Sequence, residues 1–276
     1  GALVVLYALW RAGEWGLNRF VFGNDAFAVR RLEITTDGRI PRSLLEQWSG
    51  VKPGVNLMAL DLGGVERGLK LMPLVANAAV QRVPPDTLRI RIQERVPVAE
   101  VRLAQLRRGG GIEVTRWYLD ESGHVIPFSP EWPAGLLEVM GCEALPRLTG
   151  VDPSWIHPGR PVELPAVGSA LRLLVAFQRS EMGSLLDLES VDVSRGDVLE
   201  ATTRAGSRIV FGLGAPDEAL RRWKLVHDHF ARQGSVIQRL DLSVANNSPV
   251  VLYDPQSAPA EPPKSVKPSR NRKPHV

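Results

Sequence analysis

The chain has 276 residues, of which 44% are hydrophobic and 23% are charged, a balance that supports a packed core and excludes bulk disorder. Its net charge of +4 does not indicate a nucleic-acid-binding body, because five basic residues and one acidic residue after Asp254 supply the whole excess. Residues 1–254 balance, with 29 basic and 29 acidic side chains. A single cysteine, Cys142, excludes an internal disulfide and a cysteine-rich zinc module.

The N-terminal segment is uncharged and apolar. Residues 1–9 read GALVVLYAL and are followed by Trp10 and Arg11. Because a membrane-spanning helix needs about 20 apolar residues, we interpret residues 1–18 as a partial transmembrane and juxtamembrane helix, with Trp10 and Trp15 at the membrane interface. The alternatives are a buried helix start and a signal-peptide remnant, and the latter is disfavoured because no A-x-A-like cleavage site follows.

Residues 25–95 predict a small α+β domain in the order strand, helix, helix, strand, strand. Apolar residues recur at helical spacing after Asp61, which is a plausible N-cap, and they alternate with polar residues between Leu88 and Ile92. The predicted elements are a strand at 27–34, helices at 41–48 and 62–72, and strands at 75–83 and 88–92.

Residues 96–254 predict a larger, β-rich domain with two helices. The helices are expected at 167–177 and 216–234, where apolar residues follow an amphipathic pattern. The strand segments are 117–119, 124–128, 145–148, 191–193, 198–203, 209–211, 237–244 and 250–253, with a hairpin loop at 107–111. Residues 255–276 are basic and rich in proline, which predicts a disordered tail. The expected fold class is therefore α+β.

The run from Val80 to Ala99, VQRVPPDTLRIRIQERVPVA, resembles the FtsQ/DivIB family of bacterial cell-division proteins. In that family a basic strand, a Pro-Asp turn, an alternating strand and a Glu-x-Val-Pro-x-Ala exit follow in order. Further segments match in the same order, namely VKPGVNL at 51–57, LMPLV at 71–75, YLDESGHV at 118–125, LPRLTG at 145–150, GSRIVFGLG at 206–214 and IQRLDL at 237–242. Two departures are Leu74, where the family has an aromatic residue, and Ser243-Val244, where it has Arg-Tyr.

The resemblance implies a POTRA (polypeptide-transport-associated) domain at 25–95 and a β domain at 96–254, both extracytoplasmic on a single-pass anchor in the bacterial inner membrane. It implies a scaffold of the division septum that links small coiled-coil proteins of the FtsB and FtsL type to septal peptidoglycan synthesis. The alternatives are a POTRA-bearing outer-membrane assembly or secretion factor, a class that usually carries several such domains, and an anchored extracytoplasmic enzyme.

The last predicted strand is the expected partner site. Pro249 at its start cannot donate a hydrogen bond, which suits the edge of a sheet better than its centre. An exposed edge offers unpaired N–H and C=O groups to an incoming strand. With the positions that the resemblance adds, the predicted partner-binding residues are Ser243, Val244, Asn247, Val250, Val251, Leu252 and Tyr253. The alternative is that this strand completes the sheet and leaves no site.

No local motif predicts catalysis or a bound cofactor or metal. Gly212-x-Gly214 precedes a helix as a dinucleotide loop would, but the third glycine is absent and Asp217 would repel a pyrophosphate. His227 and His229 lie two residues apart on a helix and so face different sides. We therefore expect a non-enzymatic binding protein with no cofactor, metal or nucleic-acid partner.

Overall fold

The computed structural model describes residues 24–106, 110–129, 132–133, 135–244 and 247–253, with 105 and 106 as backbone alone, together with Tyr7, Trp10 and Arg11. These last three residues are helical, but the rest of the predicted transmembrane segment and the predicted tail lie outside the described residues. No helix in the described part is both long enough and apolar enough to cross a membrane.

The order of strands and helices agrees with the expected α+β class. The strands are β1 (Arg31–Thr36), β2 (Val75–Val83), β3 (Thr87–Glu94), β4 (Pro97–Leu106), β5 (Ile112–Asp120), β6 (Val125–Pro127), β7 (Arg147–Thr149), β8 (Leu188–Asp192), β9 (Val198–Thr203), β10 (Arg208–Gly212), β11 (Ile237–Leu242) and β12 (Val250–Leu252). The helices after residue 24 are α1 (Arg42–Ser49), α2 (Leu62–Lys70), α3 (Leu136–Val139), α4 (Pro165–Arg179), α5 (Glu181–Leu185) and α6 (Pro216–Arg232). The short helices α3 and α5 were not predicted.

The first sheet has three strands in the order β1–β3–β2. The central strand β3 pairs in parallel with β1 and antiparallel with β2. Leu45 of α1 and Leu69 of α2 are fully buried in one cluster with Leu88 and Ile90 of β3, so the two helices close the core of this sheet.

Helix α2 begins after Asp61, so the prediction that Asp61 is its N-cap residue is confirmed. The Asp61 side chain accepts no hydrogen bond from the first turn of the helix. Its Oδ2 lies 3.5 Å from Nη2 of Arg67, one and a half turns into the helix. The Asp61 carboxylate therefore forms an ion pair along the helix surface instead of a capping hydrogen bond.

The second sheet has nine strands in the order β12–β11–β10–β9–β8–β7–β4–β5–β6. The long helices α4 and α6 pack on one face of it, where Trp223 lies between two phenylalanines. The Trp223 ring stacks on Phe177 at 5.7 Å and meets Phe211 edge-on at 5.9 Å. Between the sixth and seventh strands of this order, β7 and β4 share a single cross-strand pair, Glu100 with Arg147.

Candidate partner-binding edge

Strand β12 lies at the end of the nine-stranded sheet, so the prediction that the last strand forms an edge is confirmed. It runs antiparallel to β11, and a bulge in β11 interrupts the register. The cross-strand pairs are Val250 with Leu240, Val251 with Arg239 and Leu252 with Ile237. In the described part of the chain no strand pairs with the other side of β12.

The backbone of β12 presents two residues to the outside. The Pro249 carbonyl accepts a hydrogen bond from Asp241 N at 3.0 Å, and Tyr253 N donates to the Val236 carbonyl at 2.8 Å. Along an antiparallel strand, residues that face the neighbour alternate with residues that face away. Positions 249, 251 and 253 therefore face β11, and the N–H and C=O groups of Val250 and Leu252 point away from the sheet.

The side chains along this edge remain largely accessible. Val250 is half-buried and packs against the core below α6, whereas Val251, Leu252 and Tyr253 are 51%, 38% and 52% exposed. Cross-strand neighbours share a face, so Leu252 lies on the helix side with Ile237. Val251 lies on the open side with Arg239. An incoming strand would meet apolar side chains on both faces.

Asp241 shapes the turn after β11. Its Oδ1 accepts hydrogen bonds from the backbone N of Ser243 at 2.9 Å and from the Ser243 hydroxyl at 2.6 Å. Burial raises the pKa of the Asp241 carboxyl, but the bonds from Ser243 outweigh this effect and the pKa is lowered overall. Val244 and Asn247 then form an isolated antiparallel bridge, and both are exposed. The predicted residues Ser243, Val244 and Asn247 thus lie together beside the edge.

Arg222 of α6 ties the helix to this turn. Its guanidinium donates to the carbonyls of Leu242 at 3.0 Å and Val244 at 2.8 Å. Residues one and two turns later on that side, Val226 and Phe230, are partly buried against the same core. This side of α6 therefore runs along β11. Sequence reasoning missed its role, because only the pairing of β11 brings Arg222 to the turn.

Comparison with known proteins gives the family of the chain. A model of the FtsQ-type POTRA domain matches residues 27–95. Cell division protein FtsQ of Syntrophotalea carbinolica is 29% identical over 236 residues, covering 85% of this chain and 77% of the relative. The protein of the same name from Rhodothermus marinus is 31% identical over 205 residues, covering 73% of this chain and 68% of the relative. The chain belongs to the FtsQ family. The resemblance to the family is thereby confirmed.

The run that resembles the FtsQ signature contains a buried charged junction between the two sheets, at Glu94 and Arg95. Glu94, 6% exposed, accepts hydrogen bonds from the backbone N of Arg39 at 2.7 Å and of Ile40 at 3.0 Å. The next residue, Arg95, pairs through Nη1 with Oδ2 of Asp120 at the end of β5, at 2.9 Å. Glu94 therefore holds the segment between β1 and α1 against the end of β3, and Arg95 joins the first sheet to the second.

The residues that the sequence analysis rejected as catalytic or ligand-binding candidates make packing and side-chain contacts in this FtsQ-family chain. A Cβ on Gly212 would lie 3.1 Å from the Ser243 carbonyl, so this glycine allows the β11–β12 turn to approach β10. His227 Nδ1 lies 3.5 Å from an Asp228 oxygen, while His229 contacts Gln233. The described residues contain no group of three or more histidine, cysteine or acidic side chains arranged to hold a metal.

Cys142 is buried beside Glu100. Burial and the nearby carboxylate raise the pKa of its thiol to about 11. The thiolate is the nucleophilic form of cysteine, so near neutral pH this side chain remains a protonated, apolar component of the core.

Proposed function

We propose that this FtsQ-family protein is a non-enzymatic scaffold of the bacterial division septum that binds its partner by strand addition at β12. The partner would belong to the small coiled-coil division proteins of the FtsB and FtsL type. The chain would be held by a single-pass anchor in the inner membrane with both sheets outside it. Relatives named cell division protein FtsQ and the FtsQ-type POTRA match support division over outer-membrane assembly.

One observation supports the binding mode most strongly. Val250 and Leu252 turn their backbone donors and acceptors away from β11, and no described strand covers them. Unpaired strand edges are templates for a further strand, and proteins usually protect them with charged side chains or proline. Here the protecting proline stands only at the start of the strand, and the following side chains are valine, leucine and tyrosine.

The energetics show that the edge needs its apolar side chains as well. Two outward residues can form up to four backbone hydrogen bonds, which together contribute about 2–6 kcal/mol net. A micromolar complex requires about 8 kcal/mol. Fully covering an exposed Leu or Val side chain adds about 1.5–3 kcal/mol. Val251 and Leu252 are only 51% and 38% exposed, so each would add a smaller amount. Because association also costs translational and rotational freedom, a micromolar complex would need contacts beyond this edge.

The test is to remove one outward N–H. The variant Leu252→Pro loses a donor that β11 does not use, so the sheet should persist while capture of a purified FtsB/FtsL-type pair falls at least about tenfold, the effect of about 1.4 kcal/mol. The control Leu252→Val keeps the N–H and most of the apolar surface. Circular dichroism monitors the fold of both variants. If Leu252→Pro binds the pair as tightly as Leu252→Val does, the strand-addition mode is wrong.

A further inference from the structure

A cavity of about 340 Å³ lies beneath the C-terminal half of α6, at the end of the sheet where β12 finishes. Trp223, His227 and Ala231 line it from the helix, and because they lie four residues apart they share one helix face. The starts of β10 and β11 form the opposite wall, where Ile209 and Ile237 contribute their side chains. The cavity therefore lies on the helix side of the sheet.

The lining of this cavity selects an uncharged, apolar occupant. Trp223, Ile209 and Ile237 form its buried part and are at most 7% exposed. No aspartate, glutamate, lysine or arginine is among the described residues that line it, and the polar side chains are those of two serines and His227. Concave sites of this composition bind apolar groups, and ligand sites usually span about 300–1,000 Å³. A cavity at the lower end of that range suits one large side chain better than a length of peptide.

The cavity lies directly beside the end of the β12 edge. Leu252 pairs with Ile237, and Tyr253 N donates to the Val236 carbonyl at 2.8 Å, so the edge ends opposite residues that line the cavity. Val236 is 58% exposed and joins the edge to the cavity with accessible apolar surface. A strand added to β12 would lie about 10 Å from β11, a distance that about three extended residues span.

The composition of the chain's own undescribed residues argues against their filling the cavity. After residue 24 these are residues 107–109, 130–131, 134, 245–246 and 254–276. They include no Phe, Tyr, Trp, Leu, Ile or Met, and the large aliphatic side chains among them are those of Val266 and Val276. Val266 comes thirteen residues after Tyr253. A large apolar side chain is therefore better supplied by a partner than by the C-terminal end of this chain.

Strand addition at β12 needs such a contact. The backbone hydrogen bonds of the edge and the partly exposed side chains of Val251 and Leu252 do not suffice for a micromolar complex. In protein interfaces a few aromatic residues seated in well-packed pockets contribute most of the binding free energy. The cavity beneath α6 offers a pocket of this kind within reach of the edge.

We propose that the partner segment which pairs with β12 continues past Tyr253 and inserts one aromatic side chain into this cavity. The inference rests on the proposed strand addition at β12 and names a further contact of the same partner. The anchoring residue lies about three or four residues beyond the one that pairs with Leu252. Its ring packs between α6 and the starts of β10 and β11.

Nuclear magnetic resonance on the full chain tests the cavity without a partner. The probe is N-acetyl-phenylalanine amide, and the matched control is N-acetyl-alanine amide, which lacks the ring. At about 5 mM, a concentration suited to the weak binding of so small a ligand, the probe should shift the indole N–H resonance of Trp223 and the methyl resonances of Ile209 and Ile237. The control should leave these resonances in place.

Variants of the cavity connect it to the partner. Ala231→Phe places a ring in the wall of the cavity, whereas Leu225→Phe adds the same ring to a 71% exposed position of α6 outside it. Ala231→Phe should abolish the Trp223 shift and weaken capture of a purified FtsB/FtsL-type pair at least about tenfold, and Leu225→Phe should change neither. Val236→Asp, which adds a charge at an exposed position of the wall, should also weaken capture. Circular dichroism checks the fold of each variant.

The anchor is refuted if the probe leaves the Trp223 resonance unchanged, or if Ala231→Phe captures the pair as well as Leu225→Phe does. A Trp223 resonance that moves when residues 254–276 are deleted would assign the cavity to the chain's own end, and one that moves with protein concentration would assign it to a second copy. Capture lost in Leu252→Pro but kept in Ala231→Phe would overturn the anchor alone. Capture kept in Leu252→Pro would overturn strand addition, and the anchor with it.

Discussion

Replacing Arg95 by methionine should destabilise the whole described fold, because it leaves a buried carboxylate without its cation. The side chains of Arg95 and Asp120 are 17% and 8% exposed, and the ion pair joins the end of β3 to the end of β5. Breaking a buried pair by removing one partner costs about 3–5 kcal/mol. The other oxygen of Asp120 keeps hydrogen bonds from Ser122 and His124, so we expect the lower end, about 3 kcal/mol.

Urea unfolding monitored by tryptophan fluorescence measures this cost, and a double-mutant cycle assigns it. Asp120→Asn removes the charge, so Arg95→Met combined with Asp120→Asn should cost at least about 1 kcal/mol less than the sum of the single changes. The matched surface control is Lys70→Met, which breaks the exposed pair with Glu66 and should cost about 0.5 kcal/mol or less. A loss in Arg95→Met no larger than in Lys70→Met, or simple additivity of the two junction variants, would refute a stabilising ion pair at this junction.

Two further predictions concern stability. The pKa of the Cys142 thiol is raised from 9.0 to about 11, so its contribution to folding stability is fully present below pH 9 and is lost as the pH rises through 11, by at most about 2.7 kcal/mol. Between pH 8 and pH 10.5, urea titrations should show a smaller drop in the free energy of unfolding for Cys142→Ala than for the parent. Equal drops would contradict the prediction. Gly150→Ala should cost at least about 1 kcal/mol more than Gly159→Ala, because both glycines have positive φ but only at Gly150 would a Cβ meet a backbone nitrogen, that of Ser194 at 2.5 Å. Matched thermal denaturation of the two alanine variants checks this, and similar losses would show that the contact with Ser194 relaxes freely.

Local periodicity predicted those strands and helices in which apolar residues recur at the spacing of the element. The alternation from Leu88 to Ile92 became β3, and the apolar spacing that ends at Phe177 became α4. The sequence did not show that β7 would lie between β4 and β8, because that order depends on contacts between residues far apart in the chain. Helices α3 and α5, of four and five residues, are too short to carry a periodic signal.

For the candidate edge, too, the sequence predicted what depends on neighbouring residues but not what depends on residues far apart in the chain. Pro249 and the position of the last strand were enough to predict that β12 lies at an edge. They could not show that Val250 and Leu252, rather than Val251, turn their backbone groups outward, because the pairing with β11 decides that alternation. They also could not show that Arg222, some 20 residues upstream, holds the turn in place.

The single pair between β4 and β7 divides the large sheet into a six-stranded part and a three-stranded part, each of which carries one edge. Backbone hydrogen bonding is thinnest at this boundary, and α4 crosses it, packing with Val101 and Leu103 of β4 and with Leu199 and Ala201 of β9 in one core. The mutual orientation of the two parts therefore depends on side-chain packing beneath one helix. Substitutions that loosen this packing would let the two parts pivot against each other before either part unfolds.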